Sequence, residues 1–229
     1  MMEAYYELIE KLLTACRILD HEGIIDELGH FSVRIPDTDH VLINGKISPG
    51  QACEKDIVLL DLDGNRLKGE LEPAKEIPLH LAVYQRCPKV VAVVHTHSPN
   101  IVALSAAGIE LRAMENLGAT AFGEKAPIFE EPGLVDTFAM GYRIVDTMAG
   151  SNLAVLKGHG DLVTGESIEE TCISALWAEK AAALQSQAMM LGKPDWFSKE
   201  VAHKVRDQVI AGKAYQRAWN YFSWRIGKK

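Results

Sequence analysis

The sequence predicts one α/β domain built around a mixed β-sheet, and three observations predict this fold class. Short apolar runs typical of strands alternate with longer amphipathic segments typical of helices along most of the chain. The chain has 229 residues, of which 48% are hydrophobic, and both values suit a single globular domain. No repeat, low-complexity tract or linker interrupts it, so we assign residues 1–229 to one domain with a C-terminal helical tail at residues 199–229.

The first third of the chain is predicted to be a helix followed by an antiparallel meander. Apolar residues recur at steps of three and four over residues 3–22, which is the pattern of an amphipathic helix. Apolar and polar residues alternate over residues 31–35, which predicts a strand that is buried on one face only. Further strands are predicted at residues 41–43 and 57–62, and Asp63-Gly64-Asn65 suits a tight turn after the second of them.

The rest of the chain alternates between helices and apolar strands. The β-branched run at residues 90–94 is typical of a strand that is buried on both faces. Ser167 and Glu170 form a capping box, which predicts the start of a long helix that ends near residue 191. The other predicted elements are helices at residues 75–86, from residue 98, at 134–149 and within 199–226, and strands at residues 127–129 and 153–156.

Charge, hydropathy and cysteine spacing exclude several functional classes. Lys and Arg total 24 against 31 Asp and Glu, so the net charge of −7 argues against nucleic acid as the main partner. No apolar run approaches the ~20 residues that a membrane-spanning helix needs. The four cysteines are widely spaced and the N-terminus lacks the features of a signal peptide, so we expect a cytoplasmic protein with reduced thiols.

Three of the eight histidines follow predicted strands and predict a metal site. His95 and His97 come directly after the run at residues 90–94, and side chains two apart in extended chain project to the same face. His159 lies between two glycines, which allow close backbone approach, just after the strand at residues 153–156. Three imidazoles at strand ends form a plausible site for zinc or manganese.

A glutamate precedes the first of these histidines by 19 residues and offers a fourth donor. Glu76 lies at the start of the helix predicted at residues 75–86, where an acidic residue often only interacts favourably with the helix dipole. Beside three histidines the same carboxylate gains a second interpretation, as a metal ligand or as a catalytic acid or base.

In order and spacing, four ligand-type residues resemble the class II aldolase/adducin family: Glu76, His95, His97 and His159. The resemblance extends from about residue 5 to about residue 190. It implies a three-layer α/β/α sandwich with a mixed, largely antiparallel central sheet. It also implies one divalent metal ion per subunit (Zn²⁺ or Mn²⁺) on these four residues, and a homotetramer with sites at the subunit interfaces.

Several departures from the sugar-phosphate members place the chain closer to the decarboxylase-like branch of that family. The phosphate-binding positions of those members carry Gly-Asn, a Thr-Gly loop and Ser-Ser. The corresponding segments here are Gly29-His30, the loop at residues 44–49 and Ala74-Lys75. Short segments that resemble the decarboxylase-like branch lie at residues 29–34, 56–64 and 217–221.

His30 and Lys75 are the predicted substrate contacts. His30 is interpreted as a contact to a substrate carboxylate or as a proton donor, and the alternative is a structural histidine that bonds backbone in a turn. Lys75 is interpreted as a contact to an anion. Arg34 is expected on the solvent face of its strand, whereas His80 lies one helical turn after Glu76 and is expected to line the site behind its ligands.

These residues predict a divalent-metal-dependent carbon–carbon lyase that acts on a small anionic oxyacid through a metal-stabilised enolate. The preferred reaction is decarboxylation of a hydroxylated carboxylate, aromatic ones included, with Glu76 and His30 as the candidate catalytic groups. The group that reprotonates carbon is either His30 or, as the resemblance to the aldolases implies, a tyrosine from a neighbouring subunit. One alternative is a class II aldolase that cleaves a short sugar phosphate such as fuculose 1-phosphate. The other is a non-catalytic interaction module like adducin, although the presence of all four ligand-type residues argues against it.

Overall fold

A mixed eight-stranded sheet separates two layers of helices in the computed structural model, which describes residues 5–228. In chain order the strands are β1 (His30–Arg34), β2 (His40–Asn44), β3 (Ile57–Asp61), β4 (Arg66–Lys68), β5 (Ala92–Thr96), β6 (Ile128–Phe129), β7 (Leu153–Leu156) and β8 (Gly160–Gly165). Their order across the sheet is β4-β3-β2-β1-β5-β8-β7-β6. Every neighbouring pair is antiparallel except β6 and β7, which are parallel.

The helices divide unequally between the two faces of the sheet. They are α1 (Tyr6–His21), α2 (Ile77–Arg86), α3 (Pro99–Ala106), α4 (Asn116–Phe122), α5 (Phe138–Met148), α6 (Ile168–Leu191), α7 (Lys199–Ala211) and α8 (Ala214–Arg225). Helices α2 and α5 cover one face, and the other six cover the opposite face. None of these helices is both long and apolar enough to cross a lipid bilayer.

Alternating side chains of the central strands divide the core in two. In β2, Val41 and Ile43 pack on the side of α2 and α5, whereas Leu42 between them packs on the side of α1 and α6. Such alternation is what a strand with a helical layer on each face requires. The predicted three-layer α/β/α sandwich with a mixed, largely antiparallel sheet is therefore confirmed.

Several element boundaries differ from the sequence predictions, and local contacts explain two of the differences. The strand predicted at residues 90–94 is β5 at Ala92–Thr96, so His95 lies inside the strand and not after it. The ladder continues past the β-branched run because His95 pairs with His30 of β1 on one side and Leu162 of β8 on the other. Helix α5 begins at Phe138 instead of residue 134, because the Thr137 side chain accepts the Met140 N–H at the helix start.

Candidate active site

Four side chains from separate segments meet where the ends of β5 and β8 lie against the start of α2. The donor atoms of this four-residue cluster all lie within 4.8 Å of one another: Glu76, His95, His97 and His159. His95 lies in β5 and His97 just after it, His159 precedes β8, and Glu76 directly precedes α2. The structure thus brings together all four residues that the sequence predicts as metal ligands.

His95 has one ring nitrogen bonded and the other free. Its Nδ1–H donates to the Asp161 carbonyl oxygen of β8 at 2.9 Å. Its Nε2 is buried, has no hydrogen-bond partner among the described residues, and lies 3.6 Å from Glu76 Oε2. Buried polar atoms are rarely left unpaired, so an unpaired nitrogen that points at a carboxylate fits a ligand position for a cation.

His97 is oriented by a carboxylate that the sequence analysis did not single out. Its Nδ1–H donates to both Asp26 carboxylate oxygens at 2.9 Å. Asp26 Oδ1 also accepts the backbone N–H groups of Leu28 and Gly29, each at 3.0 Å. Burial raises the pKa of the Asp26 carboxyl, but the hydrogen bonds from His97 and Leu28 outweigh it and leave the pKa below its ordinary value. Asp26 therefore directs the Nε2 of His97 towards the cluster.

The glycine after His159 allows the close approach that the cluster needs. A Cβ at Gly160 would lie 2.2 Å from the Thr96 carbonyl oxygen and 3.1 Å from His95 Cε1. Gly158 has a φ of +65°, which lies in the region that favours glycine. A side chain at either glycine of the Gly-His-Gly segment would thus be sterically unfavourable. In this conformation His159 Nε2 lies 3.8 Å from Glu76 Oε1.

The Glu76 carboxylate lies at the centre of the cluster and is ionised. Its Oε1 accepts the Val135 backbone N–H at 2.9 Å, and its Oε2 lies 3.8 Å from His30 Nε2. Burial raises the pKa of Glu76, but interactions with His30, His95 and Val135 outweigh it and lower the pKa to about 2.

The donor set fits a divalent cation. The pKa values of His95 and His159 are both lowered, mainly by burial. Both imidazoles are therefore neutral and keep a lone pair for a metal. Neutral imidazole nitrogens and a carboxylate oxygen are the ligands that Zn²⁺ and Mn²⁺ accept. The free Nε2 of His95 and the Asp26–His97 pair match the arrangement in which one ring nitrogen is anchored and the other binds.

A cleft of about 680 Å³ opens above the cluster and contains both predicted substrate contacts. His30 is buried within β1 and lines the cleft, so it does not lie in a turn as the structural alternative expects. Lys75 and Lys46 are exposed where they line the same cleft. Leu28 and Leu134 add apolar side chains to its lining.

Comparison with known proteins decides the family. Residues 10–186 match the class II aldolase and adducin N-terminal domain. The chain belongs to the class II aldolase and adducin family. This confirms the family that the ligand spacing predicts.

Relatives of this family member include both kinds of lyase. The chain is 32% identical to the 3,4-dihydroxyphthalate decarboxylase of Arthrobacter keyseri over 196 residues, which is 80% of this chain and 79% of that protein. It is 28% identical to the L-fuculose phosphate aldolase of Methanococcus maripaludis over 180 residues, or 77% of this chain and 94% of that protein. The chain is therefore a class II aldolase-family lyase.

Solved structures of the family share the fold. An aldolase II superfamily protein from Pseudomonas syringae aligns with a TM-score of 0.83 at 25% identity, covering 97% of this chain and 94% of that one. An L-fuculose 1-phosphate aldolase aligns with a TM-score of 0.81 at 21% identity, covering 88% and 95%. At 21% identity, the alignment with the L-fuculose 1-phosphate aldolase supports a shared fold and nothing more.

The position of Arg34 differs from the prediction made from its strand. The alternating pattern places Arg34 on a solvent face, but its guanidinium lies 4.9 Å from the Tyr84 ring centroid and its Nε–H donates to the Val90 carbonyl. Helix α2 covers this face of β1, so the polar residues of the alternating pattern face a helix and not water.

Replacing Asp26 with asparagine is expected to weaken zinc binding by about 10- to 100-fold, as loss of an outer partner of a ligating histidine typically does. The amide oxygen can still accept the loop N–H groups, but the substitution replaces the second carboxylate oxygen with a donor and removes the negative charge beside His97. Isothermal titration with Zn²⁺ measures the change. Asp63→Asn, in an exposed turn, is the matched control and should bind zinc as the parent does. Equal affinities for the two variants would contradict the role of Asp26.

Proposed function

We propose that the chain is a divalent-metal-dependent decarboxylase of a small hydroxylated carboxylate, with Glu76, His95, His97 and His159 as the metal ligands. The observation that carries this proposal is the unpaired, buried Nε2 of His95 beside an ionised carboxylate, at a cleft whose lining includes Lys46 and Lys75. A divalent ion bound there would supply a Lewis acid that stabilises negative charge on substrate oxygen.

His30 is the proposed proton donor. When the bond between carbon and the carboxylate breaks, CO₂ leaves and the electron pair stays on carbon, which must then take up a proton. The Nε2 of His30 faces Glu76 at 3.8 Å and the ring lines the cleft, so His30 would be within reach of a substrate bound in the cleft. Solvent afterwards returns the proton to His30.

The cleft lining supports a carboxylate substrate. With a net charge of −7, the protein as a whole repels an anion, so attraction must come from local cations. Lys46 and Lys75 are exposed at the cleft and supply two such charges. Ala74 and Lys75 occupy positions where the sugar-phosphate members carry two serines, which removes hydroxyl donors from a phosphate site.

Aldol cleavage of a sugar phosphate is the second candidate, because the relative from Methanococcus maripaludis is matched over 94% of its length. The protein loaded with Zn²⁺ or Mn²⁺ separates the two when CO₂ release from 3,4-dihydroxyphthalate and aldehyde release from fuculose 1-phosphate are measured in parallel. We expect metal-dependent CO₂ release and no aldehyde. Release of aldehyde without CO₂ would overturn the decarboxylase proposal. If the metal-loaded protein released no CO₂ and no aldehyde, both reactions would be contradicted for these two substrates.

Removing the charge of Lys75 is expected to weaken substrate binding more than turnover. Because the ammonium interacts with the carboxylate before and during the reaction, Lys75→Met should raise KM about tenfold, about 1.4 kcal/mol, with kcat nearly unchanged. Steady-state CO₂ release at low and high salt measures this, and the KM difference should shrink at high salt. Lys89→Met, at an exposed lysine outside the cleft lining, is the control and should leave KM unchanged.

The assembly and location are also proposed. We infer that residues 1–229 act as one domain in a cytoplasmic homotetramer, with residues 199–229 as its helical tail. Helices α7 and α8 lie within that tail. Leu28 and Leu134 are 67% and 48% exposed beside the cleft, which supports a neighbouring subunit that covers its mouth. Sedimentation equilibrium would test the tetramer directly.

A further inference from the structure

A chain of buried hydrogen bonds leads from the cleft into the layer between β1 and α2. His30 Nδ1 lies 2.7 Å from His80 Nε2, and His80 Nδ1 lies 2.6 Å from Ser32 Oγ. Ser32 Oγ in turn lies 2.8 Å from the Tyr84 hydroxyl. All four side chains are buried, and none is more than 2% exposed. Water therefore does not compete for these contacts.

Sheet register and helix periodicity explain why these four groups meet. His30 and Ser32 are two apart in β1 and face the same side of the sheet. His80 and Tyr84 are four apart in α2 and lie on the same face of the helix. The chain is thus a row of strand side chains against a row of helix side chains, with partners about 50 residues apart in sequence.

The far end of the chain determines the direction of the hydrogen bonds. Burial raises the pKa of Tyr84, so its hydroxyl keeps its hydrogen, and Ser32 Oγ is the acceptor within reach among the described residues. The Ser32 hydroxyl then has a choice between His80 Nδ1 at 2.6 Å and the Val93 carbonyl oxygen at 3.5 Å. The shorter contact is the stronger hydrogen bond, so Ser32 donates to His80.

The near end follows from the tautomer of His80. Burial, with a smaller effect of His30, lowers the pKa of His80 well below its ordinary value, so the ring is neutral and carries one hydrogen. Because Nδ1 of His80 accepts from Ser32, that hydrogen is on Nε2 and is donated to His30 Nδ1. Because His30 Nδ1 accepts from His80, the hydrogen of the His30 ring is on Nε2, the nitrogen that faces Glu76.

We propose that His80, Ser32 and Tyr84 are positioning residues that hold His30 in the tautomer with hydrogen on Nε2, directed into the cleft. This deepens the proposed function and rests on it for the catalytic consequence, because only that tautomer can give a proton from Nε2 to a substrate held above Glu76. The tautomers themselves are independent of which reaction the protein catalyses.

The tautomers can be read directly by NMR. In the zinc-loaded protein labelled with ¹⁵N-histidine, long-range ¹H–¹⁵N spectra distinguish a protonated Nδ1 from a protonated Nε2. The signals are assigned with His30→Gln and His80→Gln. We expect hydrogen on Nε2 in both rings. A hydrogen on Nδ1 of His80 would overturn the inference, since His80 would then donate to Ser32 and accept from His30.

Variants of the chain test its effect on turnover. Ser32→Ala removes the donor to His80 Nδ1 and is expected to lower kcat for CO₂ release by about 10- to 100-fold, with KM within about twofold of the parent. Ser174→Ala is the matched control, because it removes another fully buried serine hydroxyl bonded to a tyrosine hydroxyl, that of Tyr215 at 3.1 Å, in the opposite helical layer. It should change neither kcat nor the His30 and His80 signals.

A pair of His80 variants covers the case in which Ser32→Ala does not fold. His80→Gln retains an N–H donor towards His30, whereas His80→Leu does not. The kcat of the glutamine variant should therefore be at least about tenfold higher than that of the leucine variant. Equal kcat values in these two folded variants would contradict the positioning role. If the parent protein releases no CO₂, the proposed function fails, while the wild-type NMR spectrum still decides the tautomers.

Discussion

Replacing His95 with alanine is expected to remove the bound divalent ion and to lower lyase turnover by about 10³-fold or more, as loss of the Lewis acid from a metal-dependent site should. His95 is a fully buried member of the cluster, and its Nε2 has no hydrogen-bond partner in the part of the chain that the structure describes, so it is free to bind a metal ion. The side chain also donates a hydrogen bond to the Asp161 carbonyl oxygen, and loss of that bond costs about 0.5–1.5 kcal/mol.

Metal content by elemental analysis, together with CO₂ release, measures this result. His203→Ala is the matched control, because His203 is exposed on α7 and does not belong to the cluster. It should retain both metal and turnover. Chelation of the parent protein should abolish turnover and added Zn²⁺ or Mn²⁺ should restore it. A His95→Ala protein with its full metal content and full turnover would refute the metal site.

Glu76→Gln is expected to lower turnover by about 10²- to 10⁴-fold while leaving the fold intact. The amide oxygen can still accept the Val135 N–H, so the local backbone contact is kept. What disappears is the negative charge that lies within 3.8 Å of His30, His95 and His159. Parallel zinc titration separates the two interpretations of Glu76. Lower affinity identifies a ligand, and unchanged affinity with lost turnover identifies an acid or base only.

Glu179→Gln is the matched control for this variant. Glu179 is a second buried glutamate, and its carboxylate accepts the backbone N–H groups of Asn100 and Ile101 at the start of α3 in the opposite layer. Its loss should lower the thermal stability, because it caps a helix, without any effect on metal content or kcat. If both variants were fully active, Glu76 would have no role in the chemistry.

Much of the fold could be predicted because local patterns report it directly. The alternating and β-branched runs mark β1 and β5, and the Ser167 cap marks the start of α6. The helix α4 was not predicted, since it has only seven residues and its N-cap is Glu115, a residue type that seldom signals a helix start. Short elements of this kind depend on the packing of their neighbours more than on periodicity.

The candidate site was predictable where its residues share a strand end or a short segment. His95 and His97 are two residues apart in one extended segment, and the glycines beside His159 indicate that another backbone segment approaches closely. Asp26 was not predictable, because it lies 71 residues from the His97 that it orients and no local pattern links the two. The His30–His80 contact spans 50 residues and was hidden for the same reason.

The sequence by itself therefore determined the α/β class, because the periodicity of strands and helices is a property of neighbouring residues. Its resemblance to the class II aldolase/adducin family, carried by the order and spacing of four ligand-type residues, implied the three-layer architecture and the membership of the cluster. Only the tertiary structure decided which nitrogen of His95 is free, which carboxylate anchors His97, and that the polar face of β1 is buried. That face looked like a solvent face because alternation reports only that two faces differ. Whether water or a helix such as α2 covers the polar one depends on contacts between distant segments, which no local pattern contains.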